Sequence, residues 1–253
     1  LFSCLIWSGI FLATFVLFVR ALFFTVIFFF SDKERRKVHA LGQGWADLLI
    51  DLNPFWKLKT VGLENLDQRK TYVVVANHQS AADPIVIHKI RMQFKWIAKK
   101  SLFKIPLLGW YGRLSKHICL ERGDFGSVKK SYREAAYWLR RGISVVFFPE
   151  GTRSESGQML DFKNGAFKLA IQLKIPVLPI CIQGTLDAIP KGDWVFRKTA
   201  FATVTILPAI ETAHLEMSAY ADLKDRVWAD MKRAMGDVDR QTSIRSQTPA
   251  QVD

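Results

Sequence analysis

The stretch from Val73 to Asp83 reads VVVANHQSAAD, and it places a histidine directly after a run of apolar residues. The run is short and rich in valine, which is typical of a strand buried on both faces of a sheet. His78 and Asp83 are five residues apart, and on a helix such residues point about 140° from each other. They can meet only if the intervening chain forms a loop. Because the residue before Pro84 avoids helical backbone angles, the sequence predicts a loop over residues 77–82, with Asp83 as the N-cap of a helix.

Other apolar runs with the same character predict further strands of one sheet. The predicted strands cover residues 72–76, 143–148 and 177–182. Apolar residues at helical spacing predict helices from 84 to 92, from 128 to Gly142, from 162 to 173 and from 215 to 235. This alternation predicts an α/β fold with a mixed, largely parallel sheet covered by helices. The carboxyl ends of parallel strands share one edge, where α/β proteins place their sites.

Composition limits the class of protein. The chain has 253 residues, of which 49% are hydrophobic, so it has enough material for a core and is not a disordered protein. Its formal charge of +13 suits nucleic acid, anionic lipid headgroups or a phosphorylated substrate. The cysteines are few, odd in number and set among apolar residues, which predicts buried, reduced thiols rather than disulfides.

The first thirty residues predict attachment to a membrane. They contain one charge, Arg20, and the apolar run before it would span about 28 Å as a helix, close to the ~30 Å of a bilayer core. A cleaved signal peptide is disfavoured, because a basic n-region and a cleavage site are missing and the run exceeds the usual ~15 residues. Arg20 could snorkel from the end of a true span or divide two shorter segments in one leaflet. The basic cluster at residues 31–37 predicts a cytoplasmic face, which is that of the inner membrane in a bacterium.

The chain divides into three predicted parts. Residues 1–54 form membrane-anchoring helices, residues 55–235 form the globular α/β domain, and residues 236–253 form a polar tail expected to be disordered. Within the first part, residues 38–52 show one apolar stripe at helical spacing. Such an amphipathic helix either packs on the domain core or lies in the bilayer interface.

Polar residues crowd the loop that follows the first predicted strand. Taken alone, its histidine is an ordinary loop residue and its aspartate an ordinary helix cap. Asn77, Gln79 and Ser80 add further polar groups, and together they favour a base that is oriented by a carboxylate. Two candidate nucleophiles are disfavoured. Cys119 lies in an apolar alternation that predicts a core strand, and Ser80 lacks the glycine-flanked turn of a hydrolase.

Four blocks of the sequence resemble the glycerolipid acyltransferase family. Residues 77–83, NHQSAAD, match its NHx4D motif, and residues 148–154 match its FPEGTRS motif. Residues 112–122, which end in CLER, are similar to its arginine-bearing second block, and residues 175–180, IPVLPI, to its proline-containing fourth. The resemblance extends over about residues 55–210, so it implies that the globular part is an acyltransferase domain.

The resemblance implies a reaction and its residues. His78 would take the proton from a glycerol hydroxyl as the oxygen attacks an acyl thioester, and Asp83 would orient the imidazole, with no acyl-enzyme. The implied acceptor is lysophosphatidic acid, the product is phosphatidic acid, and the donor is acyl-CoA or an acyl carrier protein. Membrane phospholipids are the implied surroundings. Two alternatives stay open: a different acceptor, such as glycerol 3-phosphate or another lysolipid, and a non-catalytic membrane-anchored lipid binder.

Basic side chains near these motifs are candidates for binding the substrate phosphate. Arg122 and Arg153 each offer a planar fork of donors to phosphate oxygens, and their positions in the family blocks favour that role. Lys99 and Lys100 could add point charges, although lysines in a polar stretch are as often simply solvated.

The remaining candidates lie in the second motif, and no cofactor is expected beyond the thioester co-substrate. Glu150 would bind substrate or order its loop, Gly151 would let backbone amides approach, and Thr152 belongs to the same motif. No metal site is predicted, because the histidines and cysteines lack the spacing of zinc ligands. A nucleic-acid partner is disfavoured as well, since no binding motif is recognisable.

Overall fold

A computed structural model describes residues 2–53, 56–188 and 199–247 of the chain. In these ranges the strands are β1 Trp56–Val61, β2 Val73–Ala76, β3 Phe94–Lys99, β4 Ile118–Leu120, β5 Ser144–Phe147, β6 Val177–Gln183 and β7 Ala200–Ile206. The α-helices within the described residues are α1 Phe2–Ile27, α2 Arg36–Asp51, α3 Asp83–Ile87, α4 Leu108–Leu114, α5 Phe125–Arg140, α6 Gly165–Leu173 and α7 Tyr220–Gln247.

The strands form one sheet with β2 at its centre. The order across the sheet is β1-β7-β6-β2-β5-β3-β4. Strand β2 pairs in parallel with both β5 and β6, whereas β6 and β7 are antiparallel. The predicted mixed, largely parallel sheet is therefore confirmed. The three strands predicted from sequence are β2, β5 and β6, each with its ends within one or two residues of the prediction.

Alternate residues of the central strand point into two separate cores. Val73 and Val75 pack with apolar residues of α5, α6 and α7 on one face of the sheet. Val74 and Ala76 pack on the other face, where Val86 is among the contributions of α3. Every residue of β2 is buried, as expected for a strand covered by helices on both sides. The predicted helix over 84–92 is shorter than expected, because α3 passes into a 3-10 turn at His88–Ile90.

The two N-terminal helices form a hairpin that packs on the α/β domain. Helix α1 runs unbroken past Arg20, so this residue does not divide it into two segments. Leu17 of α1 packs against Val38 of α2, and the Trp45 indole donates to the Thr14 hydroxyl at 3.1 Å.

Helix α2 packs on both α1 and the domain, and α1 also touches the domain directly through α4. On the side away from α1, the ring of His39 lies 4.5 Å from that of Phe94 in β3, measured between centroids. Of the two predictions for residues 38–52, packing on the domain is the one observed.

Two expectations need correction. Helix α7 continues to Gln247 in place of the disordered tail predicted from residue 236, because a helix nucleated by packed turns extends at little cost per residue. Residues 248–253 and the predicted boundary at residues 54–55 lie outside the described residues. All three cysteines are free, but only Cys181 is buried. Cys119 is exposed because β4 is the edge strand, and Cys4 is exposed on α1.

Candidate active site

The loops after β2, β5 and β6 meet because these strands are neighbours and run in parallel. The side chain of Asn77 connects the first of these loops to β6 through two hydrogen bonds. Its side-chain amide donates to the carbonyl oxygen of Ile182 at 2.8 Å and accepts from the Ile182 N–H at 2.7 Å. The side chain thus replaces a backbone pairing where β2 has ended. The predicted convergence of the three loops at one edge is confirmed.

His78 and Asp83 are in contact, as the loop prediction required. His78 Nδ1 lies 2.7 Å from Asp83 Oδ2, and the aspartate side chain is 0% exposed. The same oxygen accepts the backbone N–H groups of Gln79 at 2.7 Å and Ser80 at 2.9 Å.

The predicted N-cap role of Asp83 is wrong in detail. Asp83 is the first residue of α3, and its carboxylate turns back to the loop because three donors converge there.

Thr185 completes the partners of the aspartate. Its buried hydroxyl donates to Asp83 Oδ1, so both carboxylate oxygens are held. Gly184 makes this approach possible, because it has φ of +77° and a Cβ there would meet the carbonyl oxygen of Phe201. The sequence predicts only that a strand ends at residue 182, just before this segment. Neither the residue types nor the spacing of this segment indicates that Thr185 contacts Asp83 at the end of the loop after β2.

Glu150 holds the backbone of His78 in place. Glu150 Oε1 accepts the His78 N–H at 2.7 Å, and Oε2 accepts the Leu160 N–H at 3.0 Å. The Ser154 N–H donates to the His78 carbonyl oxygen at 2.8 Å. Burial raises the pKa of the Glu150 carboxyl to about 7, against the lowering effect of these two hydrogen bonds. Of the two roles expected for Glu150, these contacts favour ordering the loop.

An aromatic stack covers one face of the imidazole. The ring of Phe148 lies 4.1 Å from that of His78, and Trp96 stacks on Phe148 at 5.6 Å, both measured between centroids. With Nδ1 bound to the aspartate, Nε2 has no hydrogen-bond partner among the described residues. The side chain of His78 is 13% exposed. The imidazole is therefore oriented on one side and free to accept a proton on the other.

The two arginines lie close to each other. Partial burial lowers the pKa of Arg122, and the positive charge of Arg153 lowers it further. Neither guanidinium forms an ion pair with a carboxylate in the part of the chain that the structure describes. Two like charges without such a counter-charge favour binding of an anion between them. Sequence reasoning selected both residues.

The other predicted substrate-binding residues differ in their surroundings. Lys99 is exposed at the end of β3, whereas Lys100 is paired with Glu121 at 2.6 Å, so its charge is engaged. Thr152 is exposed, and Gly151 has φ of +73°.

The structure places Lys163, which was not predicted from sequence, beside the loop of the second motif. A Cβ at Gly151 would lie 2.6 Å from Lys163 Nζ, so the lysine closely approaches the second motif. Among the described residues, no group of three or more His, Cys, Asp and Glu side chains is arranged to hold a metal ion.

Replacing Thr185 tests its part in positioning the aspartate. We expect Thr185→Val to lower kcat about 3- to 10-fold with little change in KM, because one carboxylate oxygen loses a charge-assisted hydrogen bond. Thr185→Ser keeps the hydroxyl and is expected to restore most of the rate. Steady-state kinetics of both variants is the measurement. Equal losses for valine and serine would assign the residue to packing alone.

Comparison with known proteins places the site in a family context. The family model described as Acyltransferase matches residues 57–183, which include His78, Asp83, Arg122, Glu150 and Arg153 but not Gly184 or Thr185. The crystal structure of the 1-acyl-sn-glycerophosphate acyltransferase PlsC from Thermotoga maritima is similar, with a TM-score of 0.72 and 27% identity. That match covers 89% of this chain and 96% of the other.

Acyltransferases from a plant and a fungus are also similar to this chain in sequence. The chloroplastic 1-acyl-sn-glycerol-3-phosphate acyltransferase LPAT1 of Arabidopsis thaliana is 35% identical over 76% of this chain and 53% of its own. An uncharacterised acyltransferase of Schizosaccharomyces pombe is 32% identical over 81% of this chain and 73% of its own. The chain spans about half the length of the plant relatives.

Proposed function

This chain belongs to the acyltransferase family, and we propose that it transfers an acyl chain from a thioester donor to the sn-2 hydroxyl of lysophosphatidic acid. The product is phosphatidic acid, an intermediate of phospholipid synthesis. One observation carries the proposal. A buried carboxylate orients an imidazole whose second nitrogen is free, at the edge of the sheet that also carries two arginines without carboxylate partners. The names of the relatives support the choice of acceptor.

The proposed reaction needs only one proton carrier. His78 Nε2 takes the proton from the acceptor hydroxyl as its oxygen attacks the thioester carbonyl. The tetrahedral intermediate collapses by breaking the carbon–sulfur bond, and the imidazolium returns the proton to the departing thiolate. Asp83 offsets the positive charge of the imidazolium while it lasts. Acyl-CoA and an acyl carrier protein thioester both supply this chemistry, and the free thiol carrier is the second product.

The N-terminal hairpin is proposed to hold the domain at a membrane. Ser3–Ile27 forms a helix that is long and apolar enough to cross a bilayer, judged by length and composition. One side of α1 packs along the domain from Ile6, which contacts Ala82 beside the site, to Ala21, which contacts α2. A helix held along its length by the domain suits a position in one leaflet, with its exposed apolar side in the lipid.

The turn between α1 and α2 supports a cytoplasmic orientation. The buried carboxylate of Asp32 accepts the backbone N–H groups of Arg36 at 2.7 Å and Lys37 at 3.1 Å. The side chains of Lys33, Arg36 and Lys37 are exposed. Basic residues beside a membrane helix favour the cytoplasmic side, which is that of the inner membrane if the source is bacterial.

The choice of acceptor is tested on the arginines. We expect Arg122→Ala and Arg153→Ala each to raise the KM for lysophosphatidic acid about 10-fold or more, because a charge-assisted contact to phosphate contributes roughly 1.5–3 kcal/mol. The KM for the acyl donor is expected to change little. Arg122→Lys should recover only part of the loss, since a lysine cannot bind two oxygens at once. The assay uses the full chain in lipid vesicles with acyl-CoA and acyl carrier protein thioesters.

Lys100→Ala is the matched control, because that lysine is already paired with Glu121. A panel of lysophosphatidic acid, glycerol 3-phosphate and lysophosphatidylcholine identifies the acceptor. Equal efficiency on lysophosphatidylcholine, with both arginine variants impaired equally on all acceptors, would contradict the phosphate role. Binding of lipid without turnover of any donor would leave a non-catalytic lipid binder.

A further inference from the structure

Three large apolar side chains are exposed on the α/β domain next to the N-terminal hairpin. Leu102 is 45% exposed, Ile105 43% and Trp110 45%. They lie between β3 and β4: Leu102 is in the 3-10 turn Lys100–Lys104, Ile105 directly follows that turn, and Trp110 is in α4. We call this surface the α4 platform and define it by five residues, namely Leu102, Lys104, Ile105, Trp110 and Arg113. None of these residues takes part in the reaction proposed above.

The α4 platform adjoins the exposed apolar side of α1. The ring of Trp110 lies 5.3 Å from that of Phe18 in α1, measured between centroids. The neighbouring Tyr111 is buried among residues that include Leu17 of α1. A Cβ at Gly109 would lie 2.5 Å from the Phe103 carbonyl oxygen, so the 3-10 turn packs directly on α4. The platform and α1 therefore form one continuous apolar surface.

Positive charges border this apolar surface. A pocket of about 350 Å³ is lined by Lys100, Phe103, Lys104, Arg113, His117 and Cys119. Lys100 is paired with Glu121, whereas Lys104 and Arg113 have no carboxylate partner among the described residues. Arg113 donates to the Phe103 carbonyl oxygen at 3.2 Å, which holds its guanidinium beside the pocket. Exposed apolar groups edged by cations are typical of surfaces that enter the boundary of an anionic bilayer.

We propose that the α4 platform docks on an anionic phospholipid bilayer as a second membrane contact of this chain. Leu102, Ile105 and Trp110 enter the interface, and Lys104 and Arg113 bind lipid phosphates. The contact would fix the rotation of the domain about α1, so that one defined side faces the lipid. This inference rests on the membrane attachment proposed for α1, and the experiment below separates the two.

A fluorescent label at single cysteines measures which surfaces meet the lipid. In a background with Cys4→Ser and Cys119→Ser, an environment-sensitive dye is attached at Leu102→Cys in the platform or at Leu12→Cys, which lies on the exposed side of α1. Met217→Cys is the matched control, since Met217 is 46% exposed. It lies next to α7, on the opposite face of the sheet. The labelled full chains are bound to vesicles of phosphatidylcholine and phosphatidylglycerol that contain spin-labelled, quenching lipids.

We expect quenching at positions 12 and 102 to exceed that at position 217 about threefold or more. Quenching at position 12 with no excess at position 102 would overturn the platform contact and leave the attachment through α1 intact. No excess at either position would remove the proposed membrane attachment and this inference with it. A spectral change at position 102 that follows protein concentration rather than lipid would assign the surface to a second copy of the chain, which also overturns the inference.

Charge variants test separately whether Lys104 and Arg113 bind lipid phosphates. Lys104→Glu and Arg113→Gln should each weaken docking at position 102 about fivefold on vesicles with phosphatidylglycerol, and added salt should reduce the difference. On vesicles of phosphatidylcholine alone the effect should be small. Lys232→Glu, an exposed cation on α7, is the control and should leave quenching at position 102 unchanged. Equal effects of all three variants would contradict the assignment of these two cations.

Discussion

His78→Ala is expected to lower kcat by about 10²-fold to 10⁴-fold, the range that a positioned general base contributes. The imidazole is the group in the described site whose free nitrogen can take the proton of an attacking hydroxyl. Folding should survive, because the loop is held through the backbone of His78 by Glu150 and Ser154 rather than through its side chain. The measurement is turnover of acyl thioester with lysophosphatidic acid, together with thermal unfolding of the variant.

The control for this prediction addresses a covalent route. Cys119 is exposed on an edge strand, and Cys119→Ser is expected to retain near-normal turnover. Ser80 is fully buried, and its hydroxyl accepts the Ala82 N–H at 3.2 Å, so it is placed as a structural group. A folded His78→Ala protein with ordinary turnover would exclude direct base catalysis by this residue. A strong loss in Cys119→Ser would instead indicate an acyl-enzyme.

The three central strands of the sheet could be predicted from sequence, whereas the strands on either side of them could not. Strands β2, β5 and β6 are buried on both faces, so their apolar runs are unbroken and stand out. Strand β1 alternates between half-buried and exposed residues at the edge of the sheet, so it lacks the continuous apolar run by which the central strands were predicted. Strand β7 lies between β1 and β6, but exposed and half-buried residues interrupt its buried ones, so it too lacks a continuous buried run. A continuous apolar run identifies a strand that is buried on both faces, and strands that also carry exposed or charged residues do not show one.

The contacts of the site could likewise be predicted from sequence only in part. The meeting of His78 and Asp83 followed from a loop that proline rules predict, because both residues are close in sequence. The hydroxyl of Thr185 reaches Asp83 from the turn after β6, and Glu150 reaches His78 from the loop after β5. Such contacts depend on the order of strands in the sheet, which spacing along the chain does not encode. The packing of α2 on both α1 and the domain is likewise a tertiary contact that the sequence pattern does not encode.

Asp83→Asn is expected to lower kcat about 10²-fold while leaving the loop intact, and the hydrogen bonds explain why. Three donors converge on Asp83 Oδ2, including the N–H groups of Gln79 and Ser80. If the amide NH2 of the asparagine replaced Oδ2, it would face these N–H groups. We therefore expect the amide oxygen to occupy the position of Oδ2. The NH2 then faces the Thr185 hydroxyl, which can accept. We expect the network to survive, so that the substitution removes only the negative charge proposed to stabilise the imidazolium.

Asp83→Ala separates charge from architecture, because it removes the acceptor as well. The buried N–H groups of Gln79 and Ser80 then lose their partner, which costs about 1–3 kcal/mol for each donor left unpaired. The alanine variant should therefore lose both turnover and stability in urea unfolding, whereas the asparagine variant should lose turnover alone. Ordinary turnover in Asp83→Asn would show that the carboxylate charge is not used. Equal destabilisation of both variants would show that the amide cannot replace the carboxylate in this loop, and the loss of rate would then report a misplaced histidine.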